Sequence, residues 1–198
     1  MSEELKLNEN VGAPQPDALA RIARKDDFLQ QLQEFLAQHK GENWCVSAID
    51  IEHFKLYTEL YGAPQARNLM LSLAALLLEH SKATGSPVGY FGNDDFVLCL
   101  PDDKEQQLAI ISQLQTCVND HRQDVTSFLS FGVCPVAEHP DADAQTLCSY
   151  AQIASVDPSP AVGGMHPFTP AMLSRLKKQR QLLSELEHAL KNHEFCFF

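Results

Sequence analysis

Two short acidic segments, Asp50-Ile-Glu-His-Phe-Lys55 and Gly92-Asn-Asp-Asp-Phe96, each sit at the end of an apolar run, and together they restrict how this chain can fold. The first run, Trp44-Cys-Val-Ser-Ala-Ile49, reads as a strand that stops at Asp50. The second reads as a hairpin, with Val88-Gly-Tyr-Phe91 entering the turn and Phe96-Val-Leu-Cys-Leu100 leaving it. Asp and Asn are poor strand interiors and good turn formers, so the carboxylates of Asp50, Asp94 and Asp95 are expected at strand ends. Two such ends brought side by side suit Mg²⁺, a hard cation that favours oxygen ligands and shares them with substrate phosphates. The same residues also suit an ordinary turn and an ordinary strand end. Pattern alone leaves both readings open.

Asp50 to Gly62, DIEHFKLYTELYG, resembles the first signature of the GGDEF family of diguanylate cyclases, D-x-D-x-F-K-x-x-N-D-x-x-G. GNDDF falls where that family carries its GG(D/E)EF hairpin. Ser130-Phe-Gly-Val-Cys134 is similar to the later S-x-G-(V/I)-(A/C) strand, and Asp17 to Phe28 lines up with the opening D-x-L-T-G-L-x-N-R-x-x-F. The resemblance runs from about Asp17 to Asp157. It implies an α+β fold, a palm-type, mainly antiparallel central sheet flanked by helices, like that of adenylyl cyclase and polymerase palms. It also implies a site. Asp50 and Asp94 would hold Mg²⁺, with Ile51 offering its backbone carbonyl. Phe54 and Lys55 would meet the terminal phosphates of GTP or a related nucleotide, with Gly92 and Asn93 close to them. Asp95 stands where the family has its second hairpin carboxylate, usually Glu, and is the catalytic candidate if the domain is active.

The departures from the family follow a chemical pattern. Guanine is read in the family by an Asn where this chain has Thr58, and by an Asp where it has Arg67. An Asp accepts two hydrogen bonds from the guanine N1–H and N2–H edge, whereas Arg is donor-only. A buried donor facing donors is costly, so guanine selectivity is expected to be weak. Asn93 replaces the second hairpin Gly, and its side chain crowds a position where a phosphate approaches the backbone. The R-x-x-D motif of product inhibition corresponds to Ala83-Thr-Gly-Ser86, which carries no charge. The late A-D-x-A-L-Y-x-A-K segment becomes Ala151 to Asp157 and runs straight into Pro158, without the triphosphate-binding Lys. The resemblance therefore points to a degenerate domain whose role is regulatory, with an active cyclase, working as a homodimer, as the alternative.

Composition sets outer limits. Net charge is −11, which argues against non-specific binding to nucleic acid or anionic membrane. No run reaches the ~18 apolar residues of a membrane span, and the acidic N-terminus is unlike a signal peptide. A cytoplasmic location is expected. The six cysteines show no C-x-x-C or C-x-x-H spacing, and Cys45, Cys99 and Cys134 lie in strand-like runs, which reads as buried thiols.

Periodicity places the remaining elements. Met1 to Gln15, with residues 1–16 as the boundary, is a polar lead-in. Helices are predicted over Ala18–His39, Gln65–His80, Asp103–His121 and Ala142–Ala154, with a strand over Thr126–Cys134. Leu69, Leu73, Leu76 and Leu77 are expected inside, as are Ile110, Leu114, Cys117 and Val118. The GGDEF-like domain is expected over 17–157. Val156 to Pro170 turns sharply toward Pro and Gly and reads as a connector, with the linker proper at 158–169. A long helix, Pro170–His193, repeats Met172, Leu176, Gln179, Leu183, Leu186 and Leu190 at spacings of four and three. It reads as an amphipathic helix docked on its own domain, or as a short coiled-coil seam. Leu186 to Phe198 resembles the entry into an EAL domain, the cyclic-di-GMP phosphodiesterase, so 170–198 is expected to lead into one.

Overall fold

The strand that ends at Asp50 is the middle of the sheet. In the computed structural model, which describes residues 17–121, 129–159 and 164–192, β1 (Trp44–Ile51) lies between β3 (Asp95–Pro101) and β4 (Leu129–Pro135). β2 (Val88–Gly92) and β5 (Met165–Pro167) form the edges, in the order β2-β3-β1-β4-β5. All neighbours are antiparallel except β4 and β5. The helices are α1 (Ala18–Arg21), α2 (Lys25–Gln38), α3 (Phe54–Tyr61), α4 (Ala63–Thr84), α5 (Lys104–Asp120), α6 (Ala144–Ser155) and α7 (Pro170–Lys191). The expected mainly antiparallel α+β architecture is the one found.

The central strands are apolar on both faces because helices cover both. Side chains alternate along a strand, so Cys45, Ile49 and Ile51 of β1 pack with Phe96, Leu98 and Leu100 of β3 against α4 and α5. Val46 and Ala48 pack with Val97 and Cys99 on the other face, against α2 and α6. On that second face Gly132 of β4 lets α6 come down onto the sheet. A Cβ at 132 would run into the carbonyl of Ala151 and the amide of Ser155.

Several predicted elements differ in detail. The helix expected over Ala18–His39 is two helices, because its apolar residues serve opposite faces of the sheet. Leu19 and Ile22 join the α4–α5 side, whereas Phe28, Leu32 and Phe35 join the α2–α6 side. The chain crosses at the β2 edge, where Ala23 bridges Gly89 and Tyr90 N–H donates to the Ala23 carbonyl at 2.9 Å. Phe54 and Lys55 open α3, which the chain enters through His53 at φ 61°. Leu76 and Cys117 are half-buried rather than buried. The Gln65–His80 helix extends over Ala63–Thr84. Thr126 to Phe128, the lead-in and the last six residues lie outside the described residues.

The connector holds more structure than its composition suggested. Met165–Pro167 adds a parallel strand to the sheet edge, and Phe168 is buried, stacked on Tyr150 at 4.1 Å between ring centroids. Four prolines and two glycines hid a strand only three residues long. The α7 helix runs as expected, but only its first turns dock. Met172 is buried and Leu173 and Leu176 are half-buried, whereas Leu182, Leu183, Leu186 and Leu190 are 47–61% exposed. Arg175 Nη1 also donates to both carboxylate oxygens of Asp157, at 2.9 and 2.8 Å, and the Asp157 side chain is 5% exposed. The five described cysteines are free, and burial raises each thiol above its ordinary pKa. No described helix is long and apolar enough to cross a membrane.

Candidate metal and nucleotide site

The β1 end and the hairpin turn do meet. β3 pairs with β1 so that Phe96 faces Ile49, which puts the β2–β3 turn beside Asp50 and Ile51. The turn itself is Asn93–Asp94, with Asn93 at φ 52°, a conformation Asn tolerates better than most residues. Gly92 has φ 108°, needs that freedom, and has nothing within 4 Å of the position its Cβ would take. Tyr90 Oη donates to the Asn93 carbonyl at 2.8 Å and steadies the turn.

The electrostatics are those of a carboxylate cluster. Burial, then the charges of Asp94, Asp95 and Glu52, push the Asp50 carboxyl up to about 6. Burial also raises Asp94, against backbone hydrogen bonds from its own amide and from Ile51. Asp95 is raised by burial alone. The donor set is therefore oxygen-only, half-buried and short of positive charge, which is what a hard divalent cation neutralises. Among the described residues no three His, Cys, Asp or Glu side chains form a complete metal cage. Mg²⁺ does not need such a cage, because it keeps waters and takes one or two carboxylates plus substrate phosphate.

The guanine-reading positions are engaged elsewhere. Thr58 Oγ1 donates to the Phe54 carbonyl at 2.9 Å, within its own helix. Arg67 is ion-paired with Asp17, the residue that also caps α1 by accepting from the Leu19 amide at 3.1 Å. Burial, with the charges of Asp94 and Asp95, raises the Tyr90 hydroxyl above its ordinary pKa, against the nearby charges of Arg24 and Arg67. Arg67 thus belongs to the hairpin side of the site. The stretch Ala83–Ser86 is a helix end. Gly85 caps α4 at φ 74°, Ser81 Oγ donates to the Ser86 carbonyl at 2.7 Å, and Ser86 is fully buried.

Four features of the site were not singled out from the sequence. Glu52 lies in the turn just after β1, two residues beyond Asp50, and lines the same cavity as that residue; it stands at the second Asp of the D-x-D-x-F-K signature, which could have flagged it. Tyr90 and Arg24 flank the turn, with the Arg24 guanidinium 5.3 Å from the ring centroid. The fourth is a cavity of about 570 Å³ beyond Asp50, lined by Glu52, His53, Ser130, Asp157 and His166 among others. Its wall comes from the α6 end and from β5, elements distant in sequence, so no local signal marks it. Burial favours the neutral form of Asp157, but the hydrogen bonds from Ser159 and Arg175 outweigh it and hold this carboxyl below its ordinary range. A cleft of about 700 Å³ lies between α4 and α5 and shares no residue with the carboxylate cluster.

A palm-type sheet with carboxylates on the end of its central strand and on the adjoining hairpin turn defines a class of nucleotide-handling domains. The chain belongs to the GGDEF family, described as "Diguanylate cyclase, GGDEF domain", which matches residues 15–157. The solved structures agree on the fold. The GGDEF domain of PA1120 (TpbB or YfiN) from Pseudomonas aeruginosa is 20% identical with a TM-score of 0.64, over 81% of this chain and 98% of that one. The coiled coil and GGDEF domain of DgcB from Caulobacter crescentus, in complex with c-di-GMP, is 15% identical with a TM-score of 0.61, over 76% and 84%. An active GGEEF domain of a diguanylate cyclase from Vibrio cholerae is 17% identical with a TM-score of 0.56, over 75% and 98%. No curated protein matches significantly.

Proposed function

We propose that this chain is a non-catalytic, regulatory GGDEF domain of a cyclic-di-GMP signalling protein. It binds a nucleoside triphosphate weakly, only with Mg²⁺ on Asp50 and Asp94, with the Ile51 carbonyl, Phe54, Lys55, Gly92 and Asn93 around the phosphates. It passes that state through the helix beginning at Pro170 to a downstream EAL-type phosphodiesterase domain. The observation that carries the reading is Arg67. At the position where an acceptor would meet guanine stands a donor, already paired with Asp17. The late segment supports it. The position of that triphosphate-binding Lys falls at Ser159, which carries no charge and donates to Asp157, a carboxylate already paired with Arg175.

The second reading is an active diguanylate cyclase. The convergence of Asp94 and Asp95 on Asp50 favours it. Two GTP molecules would be held face to face in a homodimer. Mg²⁺ would lower the pKa of each 3′-hydroxyl and steady the leaving pyrophosphate, with Asp95 assisting deprotonation.

One experiment separates the two. Calorimetry with GTP, ATP and cyclic-di-GMP, each with Mg²⁺, is run beside overnight incubation with GTP and chromatography of the products. The expected result is weak triphosphate binding that EDTA abolishes, little preference for GTP over ATP, and no cyclic-di-GMP formed. A product peak that disappears in Asp94→Ala would establish the cyclase instead. Binding that persists in EDTA would place the nucleotide elsewhere.

A further inference from the structure

The α7 helix leaves the domain with an apolar seam that nothing in the described structure covers. From Gln179 onward the seam residues Gln179, Leu183, Leu186 and Leu190 recur at spacings of four, three and four, and all are exposed. On one flank lie Arg180 and Glu187, and neither takes part in an ion pair among the described residues. On the other lie Leu182, half exposed, and Ala189. This is a seam of a/d type with its two flanks chemically distinct, one charged and one apolar.

The charges select the occupant and its direction. We propose that the seam pairs with the same seam of a second copy of this chain, and that the two helices run antiparallel. In that arrangement Leu183 packs against the partner's Leu186, and Leu186 against the partner's Leu183. Gln179 then meets the partner's Leu190. Arg180 faces the partner's Glu187, and by symmetry Glu187 faces the partner's Arg180, giving two opposite-charge contacts from one pair of residues. On the apolar flank Leu182 covers the partner's Ala189, which widens the buried strip. A parallel pairing also matches leucine to leucine. However, it sets Arg180 beside the partner's Arg175 and Glu187 beside the partner's Leu182, which gains no charge pair and adds a repulsion.

The pairing is independent of any nucleotide, because it involves neither the carboxylate cluster nor the hairpin. The overlap spans only Gln179 to Leu190, at the small end of protein interfaces, so the association is weak. The polar Gln179 within the seam costs affinity and favours this register, since a one-heptad shift would move it from the rim to the middle of the overlap, against the partner's Leu183, and would need the half-buried Leu176 to meet the partner's Leu186.

Sedimentation of the full 198-residue chain from ~1 to ~500 μM tests the proposal. A monomer–dimer equilibrium is expected. Leu183→Glu should leave the protein folded, because the residue is 55% exposed, and should abolish the dimer. Arg180→Glu and Glu187→Arg should each weaken association by roughly tenfold through two like-charge contacts per dimer, and the double exchange should restore it. A chain that stays monomeric across the range overturns the proposal. So does a dimer indifferent to Leu183→Glu. Arg180→Glu strengthening the dimer would overturn the antiparallel direction, because only the parallel form relieves an Arg–Arg contact by that change.

Discussion

Asp50→Asn is expected to weaken Mg²⁺-dependent nucleotide binding by one to two orders of magnitude, about 1.4 to 3 kcal/mol, and at the same time to make the protein harder to unfold at pH 7. The first half follows from removing a metal ligand. The second follows from the direction of the Asp50 shift. Its carboxyl titrates at about 6 in the folded protein, against an ordinary value of 3.8, because burial and the charges of Asp94, Asp95 and Glu52 oppose ionisation. Between those two values the folded state holds the proton more tightly than the unfolded state. Stability therefore falls as pH rises from 3.8 through 6, and the full penalty persists above that. A two-unit shift on a buried group corresponds to about 3 kcal/mol, but Asp50 is only half-buried, so about 1 kcal/mol is the reasonable figure after screening. Asn removes the penalty, and melting at pH 7 should rise by about 2–4 °C. The gain should shrink as pH falls through 6 and vanish only below 3.8, where Asp50 is protonated in both the folded and the unfolded state. Melts of the two proteins at pH 4 and pH 7, without metal, decide it. A lower melting temperature for Asp50→Asn at pH 7 would show that the cluster is not strained by its own charge.

Gly132→Ala should cost at least about 3 kcal/mol, at the upper end of overpacking effects. Most overpacked sites adjust by moving a side chain. Here the added methyl meets only backbone, the Ala151 carbonyl and the Ser155 amide, so α6 must lift off β4. That displacement would pull Ser155 from Ser130, whose hydroxyl donates to the Ser155 carbonyl at 2.5 Å, and reshape the cavity wall beyond Asp50. Denaturant titration measures the loss. A cost below 1 kcal/mol would mean that α6 is far less tightly seated than its contacts indicate.

Much of the fold was legible because the central strands are two-sided. Runs such as Ile49 back to Cys45 and Phe96 to Leu100 need helices on both faces, and the intervening apolar periodicities supply them. The division of Ala18–His39 was not legible, since a 3.6-residue pattern does not reveal that its apolar residues serve opposite faces of one sheet. β5 was missed because three residues paired to a distant strand leave no period to read. At the site, Asp50, Asp94 and Asp95 were readable as strand-end carboxylates. The company they keep was not. That Arg67 lies against Asp17, and that Asp157 walls the cavity beyond Asp50, depends on contacts 50 residues apart or more, or on the way α6 and β5 end, which only the folded chain settles.

The ion pair between Asp157 and Arg175 has a mechanical consequence. It clamps α7 one and a half turns from its start, with Phe168 and Met172 buried just before it. Beyond the clamp the helix continues to Lys191, an arm of roughly 24 Å at 1.5 Å per residue. Its fulcrum is the same carboxylate that faces the cavity beyond Asp50. A tilt of about 10° at that fulcrum carries the tip of the arm about 4 Å, so an adjustment too small to break any contact inside the domain becomes, at the far end, a displacement as large as a side chain.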